Sequence, residues 1–291
     1  MQSPFCFYGI LHAGSFPNGR KALLPMDRAG KGYWSNLWQI SSMPKAFDPG
    51  KHGLSSYINQ RYHTYLSDLF KFLKPKNKRL LEIGCARSIW LPYFSKEFGF
   101  QVTGIDYSEE GCRQAREMMN REGVKGDVIC TDLYSPPKSL LGTFDTVVSF
   151  GVVEHFNDIY ACLRAFSQYL KPGGTIITFI PNLTGMMGIL QKVLNKKVYD
   201  IHVAVGLEGL RAAHEYAGFE VVSCTYFIFI NFGVINLADM SNRPFHIFLK
   251  RAIRYSLQQI ARVLWIFEIL VVPLPANRYT SPYIACVAKK L

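Results

Sequence analysis

The sequence predicts an α/β fold, a largely parallel sheet with helices on both faces, and three observations predict it. From Arg79 onward short apolar runs alternate with helical segments, the rhythm of strands joined by crossover helices. Turn signals stand between them, Gly84 after the first run and Lys171-Pro-Gly-Gly174 before the fifth. With 49% hydrophobic and 14% aromatic residues, the 291-residue chain can bury a large core and is excluded from the disordered class. That length allows one large domain or two small ones.

The elements follow in order. The first 50 residues have weak periodicity and predict no element, although Tyr33-Trp-Ser-Asn-Leu-Trp38 is an aromatic cluster. A helical stretch runs from about Leu54 to Leu73, and the charges from Lys71 to Arg79 follow a helical pattern that stops at a strand, which reads as a lysine-rich connector. Strands are expected at Arg79 to Cys85, Gln101 to Asp106, Gly126 to Thr131, Phe144 to Phe150 and Thr175 to Pro181. Helices fall between them at Trp90 to Phe98, Glu109 to Glu122 and Asp158 to Leu170, the last stopped by the Lys171-Pro-Gly-Gly174 turn. Residues 184–206 break the rhythm with a Gly-Met-Met-Gly loop and an amphipathic stretch around Leu190 to Val198, an insertion suited to covering a ligand. A helix at Leu207 to Ala217 and a strand from Phe219 follow. Residues 243–270 carry the clearest helix signal: Asn242 as cap, Pro244 in the first turn, one face of Phe245, Leu249, Ile253, Leu257, Ile260 and Leu264, and a second of Lys250, Arg254, Gln258 and Arg262. This is a basic amphipathic helix, or two separated by a kink, before a last strand at Tyr283 to Ala288.

Seven scattered cysteines without a Cys-x-x-Cys pair argue against a disulfide framework and a cysteine zinc site. No apolar run of signal-peptide length occurs in the first 30 residues, so a cytoplasmic protein is expected, one that can sit at a membrane's edge. The uncharged stretch Val221 to Ala238 is rich in β-branched and aromatic residues and broken by Asn231, Gly233 and Asn236, which fits a buried strand and turn better than a membrane span. The net charge of +12 is uneven. Residues 1–79 hold 12 basic against 3 acidic side chains and residues 240–291 hold 8 against 1, whereas residues 80–239 hold 13 against 17. A mildly acidic core with basic flanks suggests an anionic partner met by the flanks, or simply a solvated surface.

The chemistry-bearing residues begin at Leu80-Leu-Glu-Ile-Gly-Cys-Ala-Arg-Ser88, a strand end with Gly84 at the tightest point of its turn. Twenty-four residues past Glu82 a second strand ends in Asp106, an acid suited to the two hydroxyls of a ribose. Asp132 ends the third strand, where a carboxylate can take an adenine's exocyclic amine, and the fourth runs through Phe150-Gly-Val-Val-Glu-His155 toward a helix. Singly, these are an ordinary strand end, a helix cap and a turn former; jointly, at βαβ spacing, they indicate a nucleoside cofactor.

With Glu82-Ile-Gly-Cys-Ala, Gly104-Ile-Asp-Tyr-Ser, Thr131-Asp-Leu, Phe144-Asp through Val153-Glu-His and Leu170-Lys-Pro-Gly-Gly, the chain resembles the class I S-adenosylmethionine-dependent methyltransferases, especially the small-molecule branch of ubiquinone-biosynthesis O-methyltransferases. The resemblance covers residues 79–181 and extends by topology to the strands near 220 and 285. It implies a Rossmann-like, seven-stranded, mostly parallel sheet with an antiparallel last strand and N- and C-terminal helical additions. Residues 1–78 are then a cap, and 79–291 a methyltransferase domain with a lid insertion at 184–206 and an amphipathic helical insertion at 240–275. It implies S-adenosylmethionine as co-substrate, with its methionine part against Glu82, Gly84, Cys85 and Ala86, its ribose on Asp106, its adenine on Tyr107, Asp132 and Leu133, and its sulfonium near Phe150 and Gly151. Ala86 and Ser88 replace the second and third glycines usual in the family. Some quinone-pathway members hold a metal with an acid three residues before their Glu-His pair; Gly151 stands there, so no essential metal is expected.

The expected reaction is methyl transfer to an oxygen or nitrogen of a small-molecule acceptor. His155 is the candidate base, or else a packing histidine; His202 and Tyr199 in the lid are candidate acceptor contacts, and His214 reads as a helix-surface residue. Tyr57, Tyr62, Trp34 and Trp38 either close over the ligands or pack. The basic helix at 243–270 permits peripheral membrane contact and a lipid- or quinone-like acceptor, or is a packing helix. Nucleic acid is the less favoured partner, because Phe150-Gly-Val-Val153 stands where an Asn-Pro-Pro-Tyr-type signature belongs. The sequence leaves the oligomeric state open.

Overall fold

The computed structural model describes residues 27–75, 78–237 and 244–291, with the side chains of residues 244–247 left aside. Seven strands form one sheet in the order β3-β2-β1-β4-β5-β7-β6. They are β1 Arg79–Ile83, β2 Gln101–Asp106, β3 Gly126–Cys130, β4 Phe144–Phe150, β5 Leu170–Pro181, β6 Phe219–Phe227 and β7 Tyr283–Lys290. The first five are parallel, and β7 runs antiparallel between β5 and β6. Strand order reverses between β1 and β4, which opens a crevice at their carboxyl ends.

Alternation along the strands sends successive residues to opposite faces, and each face has its own core. Leu81, Ile83, Val147 and Ile176 meet Leu163, Phe166 and Leu210 of helices α5 (Ile159–Tyr169) and α8 (Leu207–Tyr216). Leu80, Val102, Val148 and Ile177 meet Tyr62, Leu66, Phe70, Leu91, Phe94 and Ala115 of α2 (Tyr57–Leu73), α3 (Trp90–Phe98) and α4 (Glu109–Arg121). A third cluster joins Tyr57 to Met187 and Leu194 of α6 (Met186–Leu194), to Ile230, Phe232 and Ile235, and to Ala261 and Trp265 of α9 (Pro244–Leu270). That layer covers the carboxyl ends of β4 and β5. A short α7 (Lys196–Asp200) continues from α6, and α1 (Gly30–Ile40) lies before α2.

The structure corrects several sequence expectations. β5 starts at Leu170, directly after α5 ends at Tyr169, but Lys171-Pro-Gly-Gly174 stands opposite Asp145 alone between the pairs Leu170–Phe144 and Thr175–Thr146, so the expected turn lies inside the strand rather than before it. Gly-Met-Met-Gly is no loop, since Met186 opens α6. His155 lies in a 3₁₀ turn, Val153–His155, ahead of α5 rather than in its first turn. His214 is fully buried, its Nδ1 against Leu210 O and its Nε2 against Thr178 Oγ1. The helix from Pro244 is a single 27-residue element with no break into two. It turns Ala261, Trp265 and Glu268 inward; of the expected apolar face Leu257 and Leu264 pack against the same cluster, whereas Leu249, Ile253 and Ile260 are exposed. The Asn242 cap lies outside the described residues. No helix among the described residues is long and apolar enough to cross a membrane.

Candidate active site

The first strand end shows why a glycine is needed. Gly84 has φ +79°, and a Cβ there would lie 2.4 Å from Val152 Cγ2 of the turn after β4. The amides of Gly84 and Cys85 both donate to Ile105 O, at 2.9 and 3.1 Å, so the turn is pinned across β2. Ala86 fits because Gly111 on α4 makes room: a Cβ at Gly111 would stand 2.5 Å from that of Ala86. Ser88 Oγ accepts from the amides of Trp90 and Leu91 in the first turn of α3, each at 3.0 Å, and donates its hydroxyl to Glu82 Oε2. Burial pushes Glu82 up to about 8 despite that bond.

Asp106 is buried, with Oδ1 accepting from Ser108 N at 2.8 Å and Oδ2 from Ala86 N at 3.1 Å. Burial pushes it up to about 6 against the pull of those donors. Beside it the Tyr107 hydroxyl donates to Asp27, which also accepts from Trp34 Nε1 at 3.2 Å. Residues before and within α1 thus fold over the ends of β1 and β2, and Trp34 and Trp38 stack 5.7 Å apart above them.

Two cavities result. The first, about 180 Å³, is lined by Gly84, Ala86, Asp106, Tyr107, Leu133, Phe150 and Gly151 of the expected set, together with Asp27, Trp34, Trp38, Thr131 and His155. Glu82 borders an adjoining cleft. Cys85 turns away into the core, where Gly104 leaves space for it; a Cβ at Gly104 would stand 2.6 Å from its Sγ. Asp132 is exposed at the rim and accepts from Tyr134 N at 2.8 Å, so Thr131 and Leu133, not Asp132, line the cleft.

The second cavity, about 460 Å³, lies under the lid and is lined by Tyr62, Trp90, Glu154, Phe179, Gln191, His202 and Tyr283. Phe150, Gly151 and His155 border both cavities. Phe150 is fixed between Trp90 and Phe179, stacked at 4.3 and 5.0 Å. Tyr199 lines neither cavity and instead packs its ring 5.7 Å from Lys192 Nζ, while Tyr57 stacks on Trp265 at 4.9 Å. Neither tyrosine meets the site.

The turn carrying His155 is held from both sides. The lid supplies Val203 N, which donates to Glu154 O at 2.6 Å, and Ile201 O, which accepts from His155 Nδ1 at 3.0 Å. From the N-terminal side Arg28 N donates to His155 O at 2.8 Å, and Arg28 Nη1 donates to His202 O at 2.6 Å. Burial, and then the neighbouring His202, push His155 down to about 3, so its ring is neutral with the Nε2 lone pair available. Burial pushes Glu154 up to about 8. Asp27 was not singled out in the sequence, and no local motif marks it. Glu154 was read only as part of the Glu-His pair, without a role of its own, and the structure buries it beside His155 and His202.

A family model described as a methyltransferase domain matches residues 56–223. The ubiquinone biosynthesis O-methyltransferase of Chromobacterium violaceum is 31% identical over 147 residues, 49% of this chain and 58% of that protein. Its namesake in Xanthomonas axonopodis pv. citri is 32% identical over 112 residues, 38% of this chain and 46% of that protein. The chain therefore spans about half the length of the curated relatives it matches. Among solved structures, coclaurine N-methyltransferase superposes with a TM-score of 0.52 at 12% identity, covering 78% of this chain and 72% of that one, a likeness of fold alone.

Proposed function

The chain belongs to the methyltransferase domain family, and on that premise we propose that it transfers a methyl group from S-adenosylmethionine to a small-molecule acceptor. The observation that carries the reading is the junction of two cavities at Phe150, Gly151 and His155, one suited to a nucleoside and the other closed by a lid. An oxygen acceptor is favoured over nitrogen, because the curated relatives are named O-methyltransferases. Residues 79–291 serve as the catalytic domain and 1–78 as a cap whose α2 is built into the domain's core.

S-adenosylmethionine brings a methyl group already activated on a sulfonium, so the protein's task is in-line positioning and removal of the acceptor's proton. The Gly84–Ala86 turn receives the methionine part, with Glu82 beneath it. Asp106 takes the ribose hydroxyls, and Tyr107, Thr131 and Leu133 border the adenine. His155 takes up the acceptor's proton through Nε2, with its tautomer set by Ile201 O. Trp34, whose ring meets that of His155 at 4.8 Å, keeps water from this corner. Titration calorimetry of the full chain with S-adenosylhomocysteine should give 1:1 binding, and Asp106→Ala should abolish it. No heat in the parent protein sinks the reading, and unchanged affinity in the variant sinks the ribose assignment.

We further propose that α9 rests on an anionic membrane surface. What supports this is its outward face, where Phe248, Val263, Ile266, Phe267 and Leu270 are exposed. At 100° per residue no charged side chain falls on that face, and Arg251 and Arg262 lie along one border. Exposed Ile189 and Val193 on α6 belong to the same covering layer. Co-sedimentation with phosphatidylglycerol vesicles should be strong, salt-sensitive and lost in a Phe248→Ser, Val263→Ser, Phe267→Ser triple variant; equal recovery of parent and variant removes the membrane role.

A further inference from the structure

We propose that Arg251 and Arg254 of α9 bind a phosphate group in a cleft that shares a wall with the acceptor cavity. The cleft, about 510 Å³, is lined by these two arginines and by residues 233–237 of the segment between β6 and α9. Val234, Ile235 and Asn236 border both this cleft and the cavity under the lid. The shared wall is fixed to the lid, because Gln191 of α6 donates Nε2–H to Asn236 O at 3.0 Å and accepts from Asn236 N at 2.8 Å through Oε1. A ligand that fills the cavity and reaches past these three residues meets two guanidinium groups.

The two arginines lack a counter-charge. The ion pairs of the described residues lie elsewhere, and neither guanidinium has a hydrogen-bond partner among those residues. Glu268 is the sole acid between residues 240 and 291. It is engaged by the Tyr57 hydroxyl and Leu274 N, and at about 1.5 Å per residue it stands roughly 21 Å along the helix from Arg254. At 100° per residue Arg254 falls within about 20° of Ala261 and Trp265, so a half-buried cation occupies the face by which α9 packs. Arg251, exposed and three residues earlier, is its neighbour on the helix surface, and like charges at that spacing repel. An anion held by both arginines relieves the repulsion and gives the half-buried charge its partner.

The donor set selects the anion. Each guanidinium is a planar fork that pairs with two oxygens, so two forks suit the several oxygens of one phosphate, whereas one fork already satisfies a carboxylate. A phosphate or diphosphate ester on the acceptor and the phosphodiester of a lipid headgroup present this same group. The existence of the site does not depend on methyl transfer, but its use rests on that reading: the phosphate anchors the ligand whose other end lies at His155. The sequence shows the basic face of α9, but the pairing of Arg251 and Arg254 with residues 233–237 arises only in the fold.

The test titrates the full chain by calorimetry with inorganic pyrophosphate and, separately, with dihexanoyl phosphatidylglycerol below its micelle concentration. One pyrophosphate per chain is expected. Affinity should fall at least about tenfold in an Arg251→Gln, Arg254→Gln double variant and in Arg254→Lys, which keeps the charge and loses the fork, and stay unchanged in Arg262→Gln. Displacement of pyrophosphate by the lipid, or binding of the lipid alone, assigns the site to a lipid diester; pyrophosphate binding that the lipid does not disturb assigns it to a free or terminal phosphate. Absence of binding by both probes, or losses in the Arg251 and Arg254 variants no greater than in Arg262→Gln, overturns the site. Each variant is also titrated with S-adenosylhomocysteine, which should bind as it does to the parent. Binding of S-adenosylhomocysteine without either phosphate probe overturns this site alone; binding of a phosphate probe without S-adenosylhomocysteine upholds the site and overturns the methyl-transfer reading.

Discussion

Glu82 ties the cofactor turn to the pH behaviour of the ligand-free protein. Its carboxyl is buried beneath Gly84, held by Ser88 and pushed up to about 8, against an ordinary value of 4.5. A folded value above the unfolded one means the native state keeps a proton that the unfolded chain releases. Its contribution to stability is therefore complete below about pH 4.5 and is lost as pH rises through about 8. Glu82→Gln, which cannot ionise, should lose less stability than the parent between pH 5 and pH 8.5 in thermal melts without ligand, so the difference between the two proteins should change steadily across that range. Parallel profiles contradict the assignment. At this scale the sequence was informative where sterics leave one choice. Gly84 is forced by its φ and by Val152, and the substitution of Ala86 for the usual glycine is answered by Gly111. It was least informative where partners arrive from afar, as Asp27 does at Tyr107 and His202 at Glu154.

Among the elements, α9 shows how periodicity can find a helix and place its buried face only in part, since Leu257 and Leu264 pack with Ala261 and Trp265. Apolar residues occur almost all round it, so the stripe of Leu249, Ile253 and Ile260 competes with the one that packs. The polar contacts decide. Trp265 donates Nε1–H to Ile230 O at 2.9 Å, and Glu268 accepts from the Tyr57 hydroxyl at 2.7 Å and from Leu274 N at 3.1 Å. Trp265→Ala removes the ring stacked on Tyr57 and orphans a carbonyl, and should cost about 3–5 kcal/mol in urea denaturation. Ile260→Ser, on the exposed stripe, should stay within about 0.5 kcal/mol. The reverse order would mean that the helix packs by its other face. The strands were easier to read, because apolar runs bounded by turns fix their type. The start of β5 was missed because Pro172 and the two glycines after it, ordinary turn formers, are accommodated by a shift in pairing next to Phe144.

For the whole molecule, the strand order determines where ligands can go. Reversal between β1 and β4 opens the crevice, the N-terminal segment closes it from one side, and α6, α7 and residues 234–236 border the space beyond Phe150, with α9 packed behind them. The excess of positive charge lies in the segments before residue 80 and after residue 239, outside the stretch that holds β1, from Leu80, through β6. The uneven charge was readable from the sequence itself. The meeting of the two cavities was not, because it depends on the N-terminal segment and the lid gripping one three-residue turn. Methyl donor and acceptor are proposed to face each other across that turn. A crystal structure of the protein with S-adenosylhomocysteine tests it most directly. The predicted result has the ribose on Asp106 and the sulfur at Phe150 and Gly151, open to the cavity lined by His155 and His202. A sulfur turned away from that cavity, or a ligand bound elsewhere, would contradict the account.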